Sequence, residues 1–299
     1  MNNIQSAFSI KDLENLTGIK AHTIRIWEKR YNLLEPERTD TNIRTYDLEN
    51  FQKLLNVSYL NKNGYKISKI ATIPVDHIAH LVKEMAAKDQ SNTRIRDLLK
   101  LAMVNFDQHL FYETYRELEN EKSFVDIFYE DFIPLLEEIG LLWQVGTITT
   151  AHEHFITNLV RQKILLSIEK MQVKQTKDDK RTYVLFLPEN EVHELGLMFV
   201  NHQLIAAGCH CIFLGQSVPM KDLKELLSYY KNITFISYFT VKPETANLLD
   251  YLIEFDRDIL TSKTVDLWLL GRMLIEADLS KFPKSVKSFN SIKSLVKNI

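Results

Sequence analysis

The stretch LFLPENEVHELG, residues 185–196, runs an apolar strand into two acids, a histidine, a third acid and a glycine. A histidine at a strand-to-helix junction reads three ways: as a metal ligand, as a catalytic base, or as part of a solvated loop. Its setting decides the fold of this half of the chain. TYVLFL, CHCIFLG, ITFISYF and VDLWLLG are short apolar strand candidates, separated by helical runs over 194–207, 220–230 and 244–256. This β–α alternation predicts a parallel sheet covered on both faces over 181–299. In such folds ligands bind beyond the carboxyl ends of the strands. His193 falls in the loop after the first strand, at that edge.

Upstream, residues 94–175 read as helical throughout. RIRDLLKLAM, DQHLFYETYRELENE, FVDIFYEDFIPLLEEIGLLW and TAHEHFITNLVRQKILLSIEKMQ each repeat apolar residues at three- and four-residue spacing, which predicts a four-helix antiparallel bundle. Within it stands WQVGTITTAHEH, in which nine residues separate Trp143 from Glu153 and His154. On the residues alone, bland readings stay open here. Thr150 and Glu153 fit a helix cap, Trp143 a core residue and His154 a surface one.

The first 75 residues differ in charge. They hold 11 Lys/Arg against 8 Asp/Glu, whereas the remainder holds 26 against 31. A mildly basic head on an acidic body suggests that the head alone meets a polyanion. Ser9 with Asp12 forms a capping box, Ile10, Leu13 and Leu16 share a face, and Gly18 is placed to end the helix. A second helix is expected from Ala21 to Tyr31, with Ile24 and Trp27 facing inward and Arg25, Lys29 and Arg30 elsewhere. EPERTDTNIRTYD then has the look of a hairpin, with Asp40 to Asn42 in the turn and Arg38 and Arg44 on the arms. Together these predict a winged helix-turn-helix over 1–75. A polar stretch including AAKDQSNT makes 76–93 a linker.

The totals exclude several classes. The chain has 299 residues, 45% of them hydrophobic and 25% charged, with a net charge of −2. No run of about 18 apolar residues suggests a membrane span, so a cytoplasmic protein is expected. Cys209 and Cys211 sit on one strand face and read as core rather than as a disulfide or metal pair. No GxGxxG, GxxxxGK[ST] or HExxH pattern occurs.

The run TIRIWEKRYNLLEPERTDTNIRTYD (23–47) and the following LNKNGYKISKIA (60–71) resemble the MerR family of transcription regulators. The resemblance implies that His22, Thr23 and Arg25 face the major groove of double-stranded promoter DNA. Arg30, Arg38, Arg44 and Tyr46 would then hold its backbone. Asn42 stands where that family usually has glycine. The sustained heptads and terminal cysteines of metal-sensing members are missing, which places the sensor elsewhere in the chain.

Glu191-Val192-His193-Glu194-Leu195-Gly196 is similar to the D-x-H-x-x-G pattern of cobalamin-binding domains, in which the histidine ligates cobalt from below. Ser237-Tyr238-Phe239 and Leu270-Gly271 correspond to that family's S-x-L and Gly pair, with Phe239 and Leu270 as departures. The W-x9-E-H arrangement resembles the helical half of cobalamin-binding regulators of the MerR type. The implied cofactor residues are Trp143, Glu153, His154, Glu191, His193, Gly196, Ser237 and Gly271, with His193 as the cobalt axial ligand. The implied cofactor is adenosylcobalamin, with methylcobalamin as the second form. The resemblance implies a regulator and not an enzyme: a repressor whose dimer or tetramer and DNA binding respond to cobalamin, with light as a further input. Gln144 stands directly after Trp143, where photoreceptor members often carry a histidine. Two rivals remain: a MerR-type regulator with a cofactor-free protein-interaction tail, and a cobalamin-dependent methyl-transfer protein.

Overall fold

The computed structural model describes residues 8–39, 41–62, 64–74, 77, 78, 81, 92–172, 178–244, 247–275 and 277–299. Asp40, most of the 76–93 linker and the end of the 94–175 segment lie outside the described residues. The chain forms two compact units, Met1–Val160 and Arg161–Ile299. The first gathers the head with most of the bundle, a coarser division than the sequence suggests.

In the head, β1 (Phe8–Ser9), α1 (Ile10–Thr17) and α2 (Ala21–Tyr31) precede a wing of β2 (Glu37–Arg38) and β3 (Arg44–Tyr46). The three strands form an antiparallel sheet of order β1-β3-β2. The Ser9–Asp12 capping box is present, and Gly18 ends α1 in the left-handed conformation at φ 74°. Glu14 caps the next helix, accepting the Ala21 N–H at 3.3 Å. Asn42 takes φ 63° in the wing turn, a conformation its short polar side chain tolerates. Leu13, Leu16, Ile24 and Trp27 are buried, together with Phe51 and Leu54 of α3 (Leu48–Lys62). A short α4 (Ile67–Ile70) follows.

The bundle comprises α5 (Asn92–Val104), α6 (Gln108–Glu121), α7 (Phe124–Ile127), α8 (Ile133–Gln144) and α9 (Thr150–Gln172). The single helix expected over 124–143 is interrupted by a π turn at Phe128–Phe132, where the Ile133 N–H reaches the Phe128 carbonyl. Pro134 explains it: its ring cannot pack over the carbonyl four residues back, and a wider turn relieves the clash. Phe111, Phe128, Phe132, Leu135 and Ile156 fill the core. The head touches the bundle through Asn15 Nδ2, which donates to Thr147 Oγ1 at 3.0 Å.

The second unit is a five-stranded parallel sheet of order β5-β4-β6-β7-β8. Its strands are β4 (Asp178–Pro188), β5 (Cys209–Val218), β6 (Ile233–Tyr238), β7 (Val265–Leu270) and β8 (Val286–Ser288). Four were expected, and β8 escaped notice because it is only three residues long. Helices α10 (Leu195–Ala206), α11 (Met220–Glu225), α12 (Leu248–Asp258) and α13 (Ile292–Val296) complete it. Val184, Phe186, Phe235 and Leu267 pack with Leu252 and Phe255 of α12, while Leu185 and Leu187 alternate to the other face. The order reverses at β4, whose neighbours are β5 and β6, so the crevice between the ends of β4 and β6 is the switch point of this α/β sheet. No helix among the described residues is long and apolar enough to cross a membrane.

Candidate functional site

The loop leaving β4 delivers Glu191 and His193 to that switch point. Glu191 is fully buried, and both of its carboxylate oxygens are engaged. Oε1 accepts from the backbone N–H groups of Val192 (2.9 Å) and His193 (3.0 Å) and meets His193 Nδ1 at 2.6 Å. Oε2 accepts from the N–H groups of Thr240 (3.3 Å), Val241 (2.7 Å) and Lys242 (2.8 Å) in the loop after β6. One carboxylate thus pins together the two loops that flank the crevice. Burial pushes its pKa up, but the His193 hydrogen bond and the surrounding N–H groups outweigh this and bring it down to about 2. With glutamate where the pattern has aspartate, the carboxylate bridges both loops.

An ionised carboxylate only accepts hydrogen bonds, so His193 carries its proton on Nδ1. That fixes the tautomer and makes Nε2 the atom with a lone pair to give. The His193 side chain is 53% exposed. No cluster of three or more His, Cys, Asp or Glu able to hold a metal ion occurs among the described residues. A single pre-set imidazole suits a metal that arrives already chelated, needing one axial ligand from the protein. Val192 and Val241, one on each pinned loop, are each 53% exposed and donate their backbone N–H groups to Glu191, two apolar side chains that the sequence reading missed. Their signal was their place in post-strand loops at the ligand edge of the sheet.

The other residues of this wall are placed by packing. Ser237 is buried, and its hydroxyl donates to the Phe186 carbonyl at 2.8 Å, tying β6 to β4. Gly271 has φ 118°, and a Cβ there would lie 2.1 Å from the Phe239 carbonyl oxygen. Phe239 and Leu270 are both buried side chains of the sheet unit. A Cβ on Gly196 would lie 2.8 Å from the ring of Tyr238. Cys209 and Cys211 form no disulfide and are partly buried on the edge strand β5. Burial, and then its neighbour Cys209, push the Cys211 thiol up to about 12.

In the bundle, Trp143 is 54% exposed and its indole N–H donates to Thr150 Oγ1 at 3.3 Å. Leu141 and Val145 beside it are also exposed. His154 is exposed and meets Glu153 at 3.4 Å. The residue that reaches back over the start of α9 is His152, whose Nδ1 accepts from the Thr149 N–H at 3.2 Å, so Glu153 takes no part in capping. His152 is buried and stacks on Phe106 at 4.6 Å between ring centroids. Burial lowers its pKa against a hydrogen bond to the Val104 backbone. It is a core histidine, unsuited to stand in for the one that Gln144 replaces.

On the head, His22, Arg25 and Arg30 are exposed along α2, and Thr23 is half-buried. Arg25 lines a cleft with Ser9, Ile10, Lys11, Asn42, Ile43 and Arg44. Lys11, not singled out from the sequence, adds a third cation there. Arg38 donates to Asn42 Oδ1 at 2.7 Å across the wing turn. Arg44 Nε donates to Glu28 Oε1 at 2.9 Å, and the Tyr46 hydroxyl donates to Glu28 Oε2 at 3.0 Å. Tyr46 is fully buried; its burial and the Glu28 hydrogen bond raise its pKa. Its phenol therefore steadies Glu28 and, through it, Arg44, and lies in the core away from any phosphate.

Comparison with known proteins bears on the head and on the helical bundle. Residues 8–73 match the family described as MerR HTH family regulatory protein, and residues 95–166 match a B12 binding domain. The chain is similar to the HTH-type transcriptional repressor CarH of Myxococcus xanthus, 27% identical over 73% of this chain and 74% of that one. It is also similar to the repressor CarA of the same organism, 24% identical over 72% and 70%. Its fold resembles the monomethylamine corrinoid protein of Methanosarcina barkeri, with a TM-score of 0.57 at 15% identity over 70% of this chain and 98% of that one. The chain carries a MerR-type helix-turn-helix domain followed by a B12-binding domain.

Proposed function

We propose that this chain is a DNA-binding transcription regulator, acting as a repressor, whose assembly and grip on promoter DNA respond to a bound cobalamin. The observation that carries this is the Glu191–His193 pair: a buried, ionised carboxylate holding one histidine in the tautomer that presents Nε2, in a chain with a DNA-binding head. His193 would hold the cobalt through Nε2, and Glu191 would anchor the proton on its other ring nitrogen. Val192 and Val241 give the corrin ring an apolar seat, and Gly196, Ser237 and Gly271 shape the crevice below. By the resemblance, Trp143, Glu153 and His154 of the first unit are carried as further cofactor-binding residues. The chemistry such a cofactor supplies, in its adenosyl form, is a cobalt–carbon bond that light can break.

On the head, His22, Thr23 and Arg25 read the major groove. Arg30, Arg38 and Arg44 grip the backbone, with Tyr46 positioning Arg44 through Glu28. The role is binding, with no reaction catalysed. A ligand that favours a dimer or tetramer over single chains by a few kcal/mol suffices as a switch, and several heads on one operator add avidity. Phe239 and Leu270, the departures from the cobalamin pattern, are core side chains with packing roles under either reading, so they do not favour the rival of a cofactor-free interaction tail.

The test is to mix the protein with adenosylcobalamin in the dark, record the visible spectrum and elution volume, then repeat after green light. Retained cobalamin with a larger dark assembly is expected. No retention would sink the sensor reading, and retention unmoved by light would leave a cobalamin regulator without photoreception. Parallel runs with methylcobalamin separate the two cofactor forms.

A further inference from the structure

Gly196 opens α10, three residues after His193, on one side of the crevice between the ends of β4 and β6. Its missing side chain is not empty space: a Cβ there would lie 2.8 Å from Cε2 and Cζ of Tyr238 and 3.1 Å from Cδ2. The ring therefore lies flush on the first turn of the helix, and only glycine allows this. Tyr238 is the last residue of β6, directly beside β4 in the sheet, where Ser237 is in register with Phe186.

Its two neighbours cannot move without cost. Ser237 is fully buried and bonded to Phe186, and Phe239 is fully buried in the core cluster. Tyr238 is only partly buried, and its ring can turn about its side-chain bonds without shifting the strand. A corrinoid ligated by His193 from below must place whatever hangs from its lower face beside that histidine. The crevice bounded by Gly196 and β6 is the concave ground available on this wall, because ligands of such sheets enter at the switch point.

Resting on the cofactor reading above, we infer that Tyr238 is a specificity-determining stopper of this crevice. Its ring occupies the ground a lower nucleotide tail would need, so tailed corrinoids bind only after it swings out, whereas tail-less corrinoids bind without moving it. The closed ring imposes a conformational tax on the first class alone, equal to the fraction of molecules with the ring already out.

The experiment titrates the full chain with hydroxocobalamin and with its tail-less counterpart hydroxocobinamide, following visible absorbance. It compares wild type with Tyr238→Ala, Tyr238→Leu and Tyr238→Phe. Tyr238→Leu keeps apolar packing over Gly196 in case the alanine variant fails to fold. Removal of the ring is expected to tighten hydroxocobalamin binding about tenfold, the tax for a ring closed nine parts in ten. Hydroxocobinamide should be unmoved, and Tyr238→Phe, which keeps the ring, should stay nearer wild type than either ring-less variant. Equal shifts for both corrinoids, or unchanged or weaker hydroxocobalamin binding in the ring-less variants, would overturn the stopper. Failure of every protein to retain either corrinoid would instead remove the cofactor reading itself.

Discussion

The two histidines proposed for the cofactor, His193 and His154, each lie beside a glutamate and are held in opposite ways. His193 lies 2.6 Å from a fully buried carboxylate that also gathers five backbone N–H groups from two loops. His154 lies 3.4 Å from Glu153, with side chains 69% and 29% exposed. The first pair is pre-organised: its charge, tautomer and position are fixed by the sheet before any ligand arrives. The second is screened by water and free to rearrange. On the cofactor reading proposed above, one fixed histidine and one adjustable pair would suit a regulator, in which one contact must persist while another changes.

The comparison breaks most readily at Glu191. Glu191→Ala would leave N–H groups of both loops without an acceptor, and a loss of about 3 kcal/mol in folding stability is expected from urea titration. The pH dependence follows from the depressed carboxyl. Its pKa is about 2 in the folded chain against the ordinary 4.5. The stability it contributes is therefore fully present above pH 4.5 and drains away as pH falls toward 2. Glu191→Gln should flatten that limb of the stability profile, and an unchanged limb would show that the loops are held by something else.

His193→Ala separates holding from binding. The ring is half-exposed, so folding stability should move by less than about 0.5 kcal/mol, while corrinoid affinity drops about 100-fold, the scale of a lost tuned ligand. Unchanged affinity and an unchanged His-ligated spectrum would mean another residue ligates. On the head, Glu28 ties down Arg44 as Glu191 ties down His193. Replacing Arg44 with alanine should lower the salt dependence of promoter binding by about one counterion, a slope change near 0.9.

How much of this was legible follows from how local each feature is. The capping box, the Gly18 stop and the wing turn depend on residues within a few positions of one another, and the sequence displayed them directly. The alternation of strands and helices placed His193 at the ligand edge because each element carries its own periodicity. What stayed hidden is non-local. Nothing in ENEVHELG tells that Glu191 accepts from Thr240, Val241 and Lys242, some fifty residues on, nor that Gly196 is spent on Tyr238. The π turn at Phe128–Phe132 was hidden because Pro134 was read as one more residue of an apolar stripe. Tyr46 looked like a phosphate contact in a basic wing until its packing against α2 put its hydroxyl on Glu28.

The smallest effect belongs to the loose pair. Glu153→Ala removes one partner of an exposed ion pair, and such pairs contribute less than about 0.5 kcal/mol once screening and side-chain entropy are counted. Glu153 caps nothing, since His152 reaches back over the helix start in its place. The urea midpoint should therefore match wild type, with any change confined to the cobalamin-loaded protein. A cost above about 1 kcal/mol in the cofactor-free chain would show that Glu153 is a structural residue. The contrast between a fixed and an adjustable histidine would then fail, because both pairs would be part of the frame.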